Sequence, residues 1–271
     1  MRNFDNESYS YSPEWKIDDS KFEKEIVKLR DGNTREIYFF DISKNKSSNL
    51  VTNHPEYGNN LFVHEHKVIK LKTATNFFCD IVLRVHYNSY VTKTVERKRC
   101  FDLIPFRYNS TFYTKSFQCD MHDSLFVENL TLKEFAQLYN TTPSIVRSVY
   151  SDSEMRSRQV KPVDIESISH LVIKEYRFNS EKKVCTIVFE VESGLLLYAG
   201  QGQTGEQVKE FFSKYKKVFM DNVTEIYVSE DNQSYIDAIK EEYPNIKINN
   251  NFKEAYDIFV KHILSQIKCE R

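Results

Sequence analysis

Long apolar runs are missing from this chain of 271 residues. The N-terminal stretch MRNFDNESYSYS is polar and lacks the apolar core that a secretory signal peptide needs. No segment approaches the roughly 20 consecutive apolar residues of a membrane-spanning helix. We therefore expect no membrane partner and a cytoplasmic location.

An excess of one charge is also missing. The chain has 38 Lys and Arg residues against 39 Asp and Glu residues, which gives a formal net charge of -1. Proteins that bind nucleic acid through their overall electrostatic field are usually basic. If this chain contacts DNA, it does so through local groups.

Paired cysteines are absent as well. The five cysteines are widely spaced and form no CxxC pair, which predicts reduced, buried thiols rather than disulfides. His64 and His66 lie two residues apart, and on a strand both imidazoles would face one side, as metal ligands can. Because no thiolate pair completes a tetrahedral site, we expect neither zinc nor another bound metal.

The first third of the sequence predicts a small β-rich module over residues 18–112, after a loose tail over residues 1–17. Apolar residues recur at helical spacing within residues 18–30, which predicts a short amphipathic helix there. The runs EIYFFDIS, LFVHEHKVIKL and CDIVLRVHYNSYV have the alternation typical of strands. A turn cluster at residues 53–60 separates the first of these strands from the second.

The segment KTVERKRC (93–100) concentrates positive charge. Arg97, Lys98 and Arg99 are candidate contacts to DNA phosphates. The alternative is a solvated, charged edge that prevents further strand pairing. Sequence alone does not separate these two interpretations.

The most specific local signal is LTLKEFAQLYNTTPSIVRSVY (130–150). Thr131 with Glu134 three residues later is a capping-box pattern, which predicts the start of a helix. Thr141 or Thr142 would cap a second helix, because a proline follows at a position where its missing N–H costs nothing. Two helices that cross at a short polar turn predict a helix-turn-helix over residues 113–160.

In the DNA-binding form of this motif, the second helix enters the major groove. Exposed residues near its start would then read base edges, and Ser144, Arg147 and Ser148 occupy those positions. The alternative is a plain helical hairpin without a DNA-binding role. We favour double-stranded DNA as the partner.

The C-terminal part, residues 161–271, predicts an RNase H-like α/β core. Three strands (HLVIKEYRF, CTIVFEVE and LLLYAG) precede a helix, the strand TEIYVS, a second helix, the strand NIKIN and a last helix. The segment GQGQTG (200–205) matches a dinucleotide-binding pattern, but it follows a strand meander rather than opening a βαβ unit. We expect no bound cofactor.

Three motifs in this core resemble those of one protein family. The strand LVIKEYRF, the segment VSEDNQSY and the segment YPNIKINNNFK follow one another in the family's order. Through them the chain resembles the DDE transposases of bacterial insertion sequences of the ISL-three group, over roughly residues 20–265. The resemblance implies an α+β multidomain fold with a zinc-ribbon-like module, a helix-turn-helix and an RNase H-like domain.

The resemblance also implies that the catalytic residues are mostly replaced. Lys174 stands where the family has its first Asp, and Asn250 stands where it has another, while Asp231 is retained as the residual catalytic position. The ribbon is altered in the same way, since His54-Pro55-Glu56-Tyr57-Gly58 stands for Cys-Pro-x-Cys-Gly. The family's insertion and final catalytic Glu would lie beyond Arg271.

Phosphoryl transfer by two metals needs several carboxylates to hold the ions about 4 Å apart, and a Lys at the site opposes divalent cations. Asp231 could instead cap the following helix. The first hypothesis is therefore an inactive, transposase-like protein that binds transposon-end DNA, either a remnant or a repurposed regulator. The alternatives are an active enzyme with unusual ligands, which would need Mg²⁺, and a protein-interaction scaffold. A homo-oligomer is left open.

Overall fold

The computed structural model describes residues 15–28, 34–44, 60–76, 79–94, 97–124, 130–152, 167–178 and 183–268. The described chain combines helices with two mixed sheets, which confirms the predicted α+β class. No described helix combines the length and the apolar character that crossing a membrane requires. The N-terminal strands are β1 (Trp15–Lys28), β2 (Thr34–Lys44), β3 (Leu61–Thr75), β4 (Cys79–Thr92) and β5 (Arg99–Phe101).

Strands of the first sheet lie in the order β1-β2-β4-β3, and β5 pairs with the far end of β4. The β2–β4 pair is parallel, whereas β1–β2, β3–β4 and β4–β5 are antiparallel. The strands predicted from EIYFFDIS, LFVHEHKVIKL and CDIVLRVHYNSYV are confirmed. The predicted turn cluster and the altered ribbon motif at residues 53–58 lie outside the described residues.

The helix predicted over residues 18–30 is wrong, because the described part of this segment, residues 18–28, belongs to strand β1. Its backbone pairs with β2 from Phe22 opposite Phe40 to Lys28 opposite Thr34. The side chains of Phe22 and Ile26, which would have formed the buried stripe of a helix, are 57% and 67% exposed. Trp15 also lies in β1 and is buried, so the loose tail predicted over residues 1–17 is wrong for residues 15–17, and the rest of that prediction lies outside the described residues.

Three helices follow the first sheet, and the second sheet comes after them. The helices are α1 (Lys115–Asp123), α2 (Leu132–Leu138) and α3 (Pro143–Ser151). The later elements are β6 (His170–Phe178), β7 (Lys183–Glu190), β8 (Leu196–Gln201), α4 (Gly205–Tyr215), β9 (Glu225–Tyr227), α5 (Gln233–Glu242), β10 (Lys247–Asn249) and α6 (Phe252–Lys268), with a short 3₁₀ turn at Met220–Asn222.

The second sheet has the order β10-β9-β6-β7-β8. Strands β6, β7 and β8 form an antiparallel meander, and β9 and β10 join the free side of β6 in parallel. Helices α4 and α5 cover one face with an apolar cluster that includes Phe211, Phe212 and Tyr235. Helices α1, α2 and α3 cover the antiparallel half of the other face.

Helix α6 packs against both sheets. Its residue Ala255 lies in a cluster with Val172 and Tyr227 of the second sheet. One turn later, Phe259 and Ile263 enter the core of the first sheet. The last helix therefore completes the apolar core of the N-terminal strands, which are far from it in sequence.

The turn between β7 and β8 lies against this junction. Gly194 has a φ of 71°, a conformation that favours glycine. A Cβ at this position would lie 2.8 Å from the carbonyl oxygen of Thr75 and 2.9 Å from Cε2 of Phe259. The glycine thus permits close contact between the second sheet, the first sheet and α6.

The same turn contains a buried pair of carboxyl groups. Glu190 accepts hydrogen bonds from the backbone N–H groups of Glu192 (3.0 Å) and Ser193 (2.6 Å). Glu192 contacts Nδ1 of His170 at 2.5 Å, which favours its charged form. Burial, together with the neighbouring Glu192, raises the pKa of Glu190 to about 8. Glu190 therefore holds the proton of the pair.

We expect Glu190→Gln to stabilise the protein at about pH 8 and to be close to neutral at about pH 5. The folded chain binds the Glu190 proton more tightly than the unfolded chain, so the wild type loses stability as the pH rises from 4.5 to about 8. Gln imitates the protonated acid and avoids this loss. Because one pKa unit is worth about 1.4 kcal/mol, the difference at the higher pH should exceed that value.

Urea denaturation of both proteins at the two pH values measures this effect. Glu210→Gln, a change at an exposed position on α4, is the matched control and should show no such trend. A Glu190→Gln difference that is the same at both pH values would contradict the assignment of the proton.

Candidate nucleic-acid interface

The predicted starts of α2 and α3 are confirmed. Thr131 Oγ1 accepts a hydrogen bond from the Glu134 backbone N–H (3.3 Å), and Glu134 Oε2 accepts one from the Thr131 N–H (2.7 Å). The second cap is Thr142, whose hydroxyl accepts from the Ile145 N–H at 3.4 Å. Pro143 occupies the first helical position, as the sequence predicts.

The turn between the two helices depends on one residue with positive φ. Asn140 has a φ of 46°, which asparagine tolerates better than most residues. Its N–H donates to the Gln137 carbonyl at 3.0 Å, and the Thr141 N–H donates to the Ala136 carbonyl at 2.8 Å. Four residues separate the end of α2 at Leu138 from the start of α3 at Pro143.

The inner faces of both helices are buried. Phe135, Ala136 and Leu138 of α2, with Val146 and Val149 of α3, belong to the apolar cluster on the second sheet. The opposite face of α3 is open to solvent, and its exposed side chains include Ser144, Arg147 and Ser148. The structure therefore brings these three predicted DNA contacts together on one accessible helix face.

A buried ionic cluster fixes the turn of this helix pair to the first sheet. The Lys72 ammonium donates to the carbonyl oxygens of Tyr139 (3.0 Å) and Asn140 (3.1 Å) at the end of α2. It also lies 2.9 Å from Asp80 Oδ1, as does the Arg35 guanidinium. The second oxygen of Asp80 accepts from the Asn140 side-chain amide at 2.7 Å.

The pKa values of Asp80 and Lys72 depend on how closely the charged groups of this cluster lie to one another. Burial alone would raise the pKa of Asp80, but the nearby Lys72 and Arg35 outweigh it and hold this pKa below its usual value. Burial lowers the pKa of Lys72 to about 8, against the opposing effect of Asp80. One carboxylate thus compensates two buried cations, and the α2–α3 turn depends on it.

Arg97, Lys98 and Arg99 are exposed but lie in a different region. Arg99 begins β5, which pairs opposite Val91 near the far end of β4. The helix pair is anchored at Asp80, near the other end of the same strand. At about 3.3 Å per residue, the separation along β4 is on the order of 35 Å. The structure does not bring this basic cluster together with the exposed face of α3.

The positions that resemble a catalytic site do come together, at the carboxyl ends of the parallel strands. Val172 of β6 and Asn249 of β10 both lie opposite Tyr227 of β9. Lys174 is two residues further along β6, and Asn250 is the residue after Asn249. Asp231 follows β9 at the same edge and is exposed. The register of the sheet thus places Lys174 and Asn250 at the same edge, the edge at which β9 leads towards Asp231.

A site for divalent metal ions needs several carboxylates, and the side chains of Lys174 and Asn250 at this edge supply none. Lys174 Nζ lies 5.5 Å from the centre of the Phe252 ring, and burial lowers its pKa while Glu175 opposes that shift. Lys174 is a cation, and Asn250 is a neutral amide. In the described part of the chain, no three His, Cys, Asp or Glu residues are grouped as metal ligands.

The predicted role of Asp231 as a helix cap is wrong. Helix α5 begins at Gln233, and the N-cap position is occupied by Asn232, whose side chain makes no capping hydrogen bond. The Asn232 N–H donates to the Ser229 carbonyl at 3.0 Å, so the chain turns before the helix begins. Asp231 lies in that turn.

The two histidines considered as metal ligands, His64 and His66, lie at the surface. Both belong to strand β3. Nδ1 of His66 contacts the Asn88 side-chain oxygen at 2.5 Å. Four of the five cysteines are described, none of these four forms a disulfide, and Cys79, Cys119 and Cys185 are buried as predicted.

Comparison with known proteins adds no relationship. No protein-family model matches this chain, and no curated protein matches it either.

Proposed function

We propose that this chain is a transposase-like protein that binds duplex DNA through α3 and does not catalyse phosphoryl transfer. The observation that carries the proposal is the exposed face of α3 with Ser144, Arg147 and Ser148, held by a buried inner face and a buried ionic anchor. A short, capped second helix with an open face is the arrangement of a DNA-binding helix-turn-helix.

The second sheet supports the transposase-like part of the proposal. An antiparallel meander of three strands, with two parallel strands added beside its first strand, is the order of RNase H-like cores. Such cores place their metal ligands at the edge where Lys174, Asp231 and Asn250 lie. Two-metal catalysis needs several carboxylates there, and a desolvated Lys opposes divalent cations. We therefore propose that the protein binds DNA but does not catalyse phosphoryl transfer.

DNA binding is tested with a fluorescent duplex of random sequence, measured by anisotropy at increasing salt. We expect wild-type binding that weakens with salt, since phosphate contacts release counterions. Arg147→Ala should weaken the binding severalfold and lower the slope of log affinity against log salt by about one, because on random sequence this arginine acts mainly through its charge near the phosphates. The matched control is Arg177→Ala, an exposed arginine on β6 that pairs with Glu175.

Two results would contradict the proposal. One is a wild-type protein that does not bind the duplex at about 50 mM salt, where phosphate contacts are strong. The other is an equal loss of affinity in Arg147→Ala and Arg177→Ala, which would indicate only a diffuse effect of charge.

The absence of catalysis is tested separately. Supercoiled plasmid incubated with the protein and Mg²⁺ or Mn²⁺ should show no nicking above the buffer control. The reason is that Lys174 lies at the sheet edge where RNase H-like cores bind their metal ions, and its positive charge opposes a divalent cation. Metal-dependent nicking that Asp231→Ala abolishes would favour the active-enzyme alternative.

A further inference from the structure

The segment between β5 and α1 forms a small hairpin that the sequence did not indicate. The Tyr108 N–H donates to the Tyr113 carbonyl and the Lys115 N–H donates to the Phe106 carbonyl, both at 2.9 Å. At its tip, Asn109 and Ser110 have φ values of 38° and 58°. Two successive positive φ values are the conformation of a type I′ turn, which closes tight hairpins.

This hairpin is fixed at its tip and along one side. The Arg107 guanidinium donates to the carbonyl oxygens of Thr111 (2.7 Å) and Ser110 (2.5 Å). The backbone of Lys72 on β3 donates to the Phe112 carbonyl at 2.9 Å and accepts from the Thr114 N–H at 3.0 Å. The hairpin therefore extends the edge of the first sheet as an ordered element.

Its position is set by α3. The Tyr108 hydroxyl donates to Asp152 Oδ2 at 2.7 Å, one residue after α3 ends. The Gln118 side-chain amide of α1 donates to the same Asp152 oxygen at 3.4 Å. The hairpin thus joins the end of α3 at Asp152.

The chemistry of the hairpin suits a polyanion. Its sequence, FRYNSTFYTK (106–115), contains two basic residues and no acidic one, in a chain whose formal net charge is -1. Asn109 and Ser110 are exposed at the tip. The side chain of Phe112 is 67% exposed on this hydrogen-bonded hairpin. Leaving an aromatic ring exposed to water is unfavourable compared with burying it.

We propose that this hairpin, residues 106–115, is a second DNA-contacting element that packs on the duplex beside the groove entered by α3. Phe112 would pack on the deoxyribose edge or enter the minor groove, as apolar side chains of DNA-binding proteins do. Lys115 would contact a phosphate, and the polar tip would contact the backbone. The inference rests on the proposed DNA-binding function of α3.

The first test is affinity for the random-sequence duplex. We expect Phe112→Ala to weaken binding about three- to tenfold, since stacking or wedge contacts of this kind are worth about 1 kcal/mol or more. Lys115→Ala should lower the slope of log affinity against log salt by about one. Leu103→Ala, which alters another strongly exposed apolar side chain outside the hairpin, is the control.

The second test does not depend on affinity. A photo-crosslinking phenylalanine analogue at position 112 should crosslink to the duplex, whereas the same analogue at position 103 should not. If Arg147→Ala weakens binding while Phe112→Ala does not and position 112 fails to crosslink, the hairpin inference is wrong and the role of α3 stands. If the wild-type protein does not bind duplex DNA, both are wrong.

Discussion

We expect Asp80→Asn to lower the free energy of unfolding by about 3–5 kcal/mol, as the removal of one partner from a buried ion cluster does. The Asp80 side chain is 4% exposed and is flanked by Arg35 and Lys72, whose side chains are 5% and 9% exposed. Without the carboxylate, the buried Arg35 guanidinium loses its counter-charge, and Lys72 loses the partner that opposes the burial-induced fall in its pKa. Asn has nearly the same shape, so the loss reflects charge rather than volume.

Urea or thermal unfolding measures this change, and Asp41→Asn is the matched control. Asp41 lies on β2 and pairs with Arg84 at 2.7 Å, but its side chain is 31% exposed. A pair that retains water contact contributes about 1 kcal/mol or less. If both variants lose the same stability, the buried cluster does not anchor the turn. Because Lys72 and Asp80 hold the α2–α3 turn, the Asp80 variant should also bind DNA more weakly.

Phe259→Ala should destabilise the protein by about 3–5 kcal/mol, the usual cost of removing a buried phenylalanine ring from a core. Phe259 is fully buried in the apolar cluster of the first sheet, although it lies on the last helix. Its ring also lies beside Gly194 in the turn of the second sheet. The cavity would therefore affect the contact between the two sheets as well as the core.

Chemical denaturation with probes in both sheets checks this prediction. Lys261→Ala, two positions later on the same helix, alters an exposed side chain and should change stability by less than about 0.5 kcal/mol. A Phe259→Ala loss as small as that of the control would mean that α6 does not complete the first core.

Local signals were predictable from sequence because their causes lie within a few residues. The Thr131–Glu134 capping box and the Thr142-Pro143 start each depend on neighbouring backbone groups. The positions Lys174, Asp231 and Asn250 came from the family resemblance, and the parallel pairing of β6, β9 and β10 puts Lys174 and Asn250 at one edge of the sheet. These parts of the candidate site needed no knowledge of distant contacts.

Other features depend on partners far along the chain. Residues 18–30 have apolar spacing that suits a helix, yet pairing with β2 makes them a strand. The hairpin at residues 106–115 could have been suspected from the polar Asn109-Ser110 pair between aromatic runs, but its position beside α3 could not. The separation of Arg97–Arg99 from α3 also depends on where β5 pairs.

The sequence by itself determined the α+β class, the starts of α2 and α3, and the presence of Lys174 and Asn250 at the strand ends, because capping, strand alternation and residue charge are local properties. The tertiary structure alone decided that Arg35, Lys72 and Asp80 anchor the helix pair, and that α6 completes the first core. Arg35 and Asp80 are 45 positions apart in the sequence, and Phe259 shares an apolar cluster with Phe40, which lies 219 positions earlier. Only the folded chain brings such distant residues into contact. The exposed residues of α3 that are proposed to bind DNA lie close together in the sequence. The position of α3 in the fold depends on residues far from it in the sequence, such as Lys72 and Asp80.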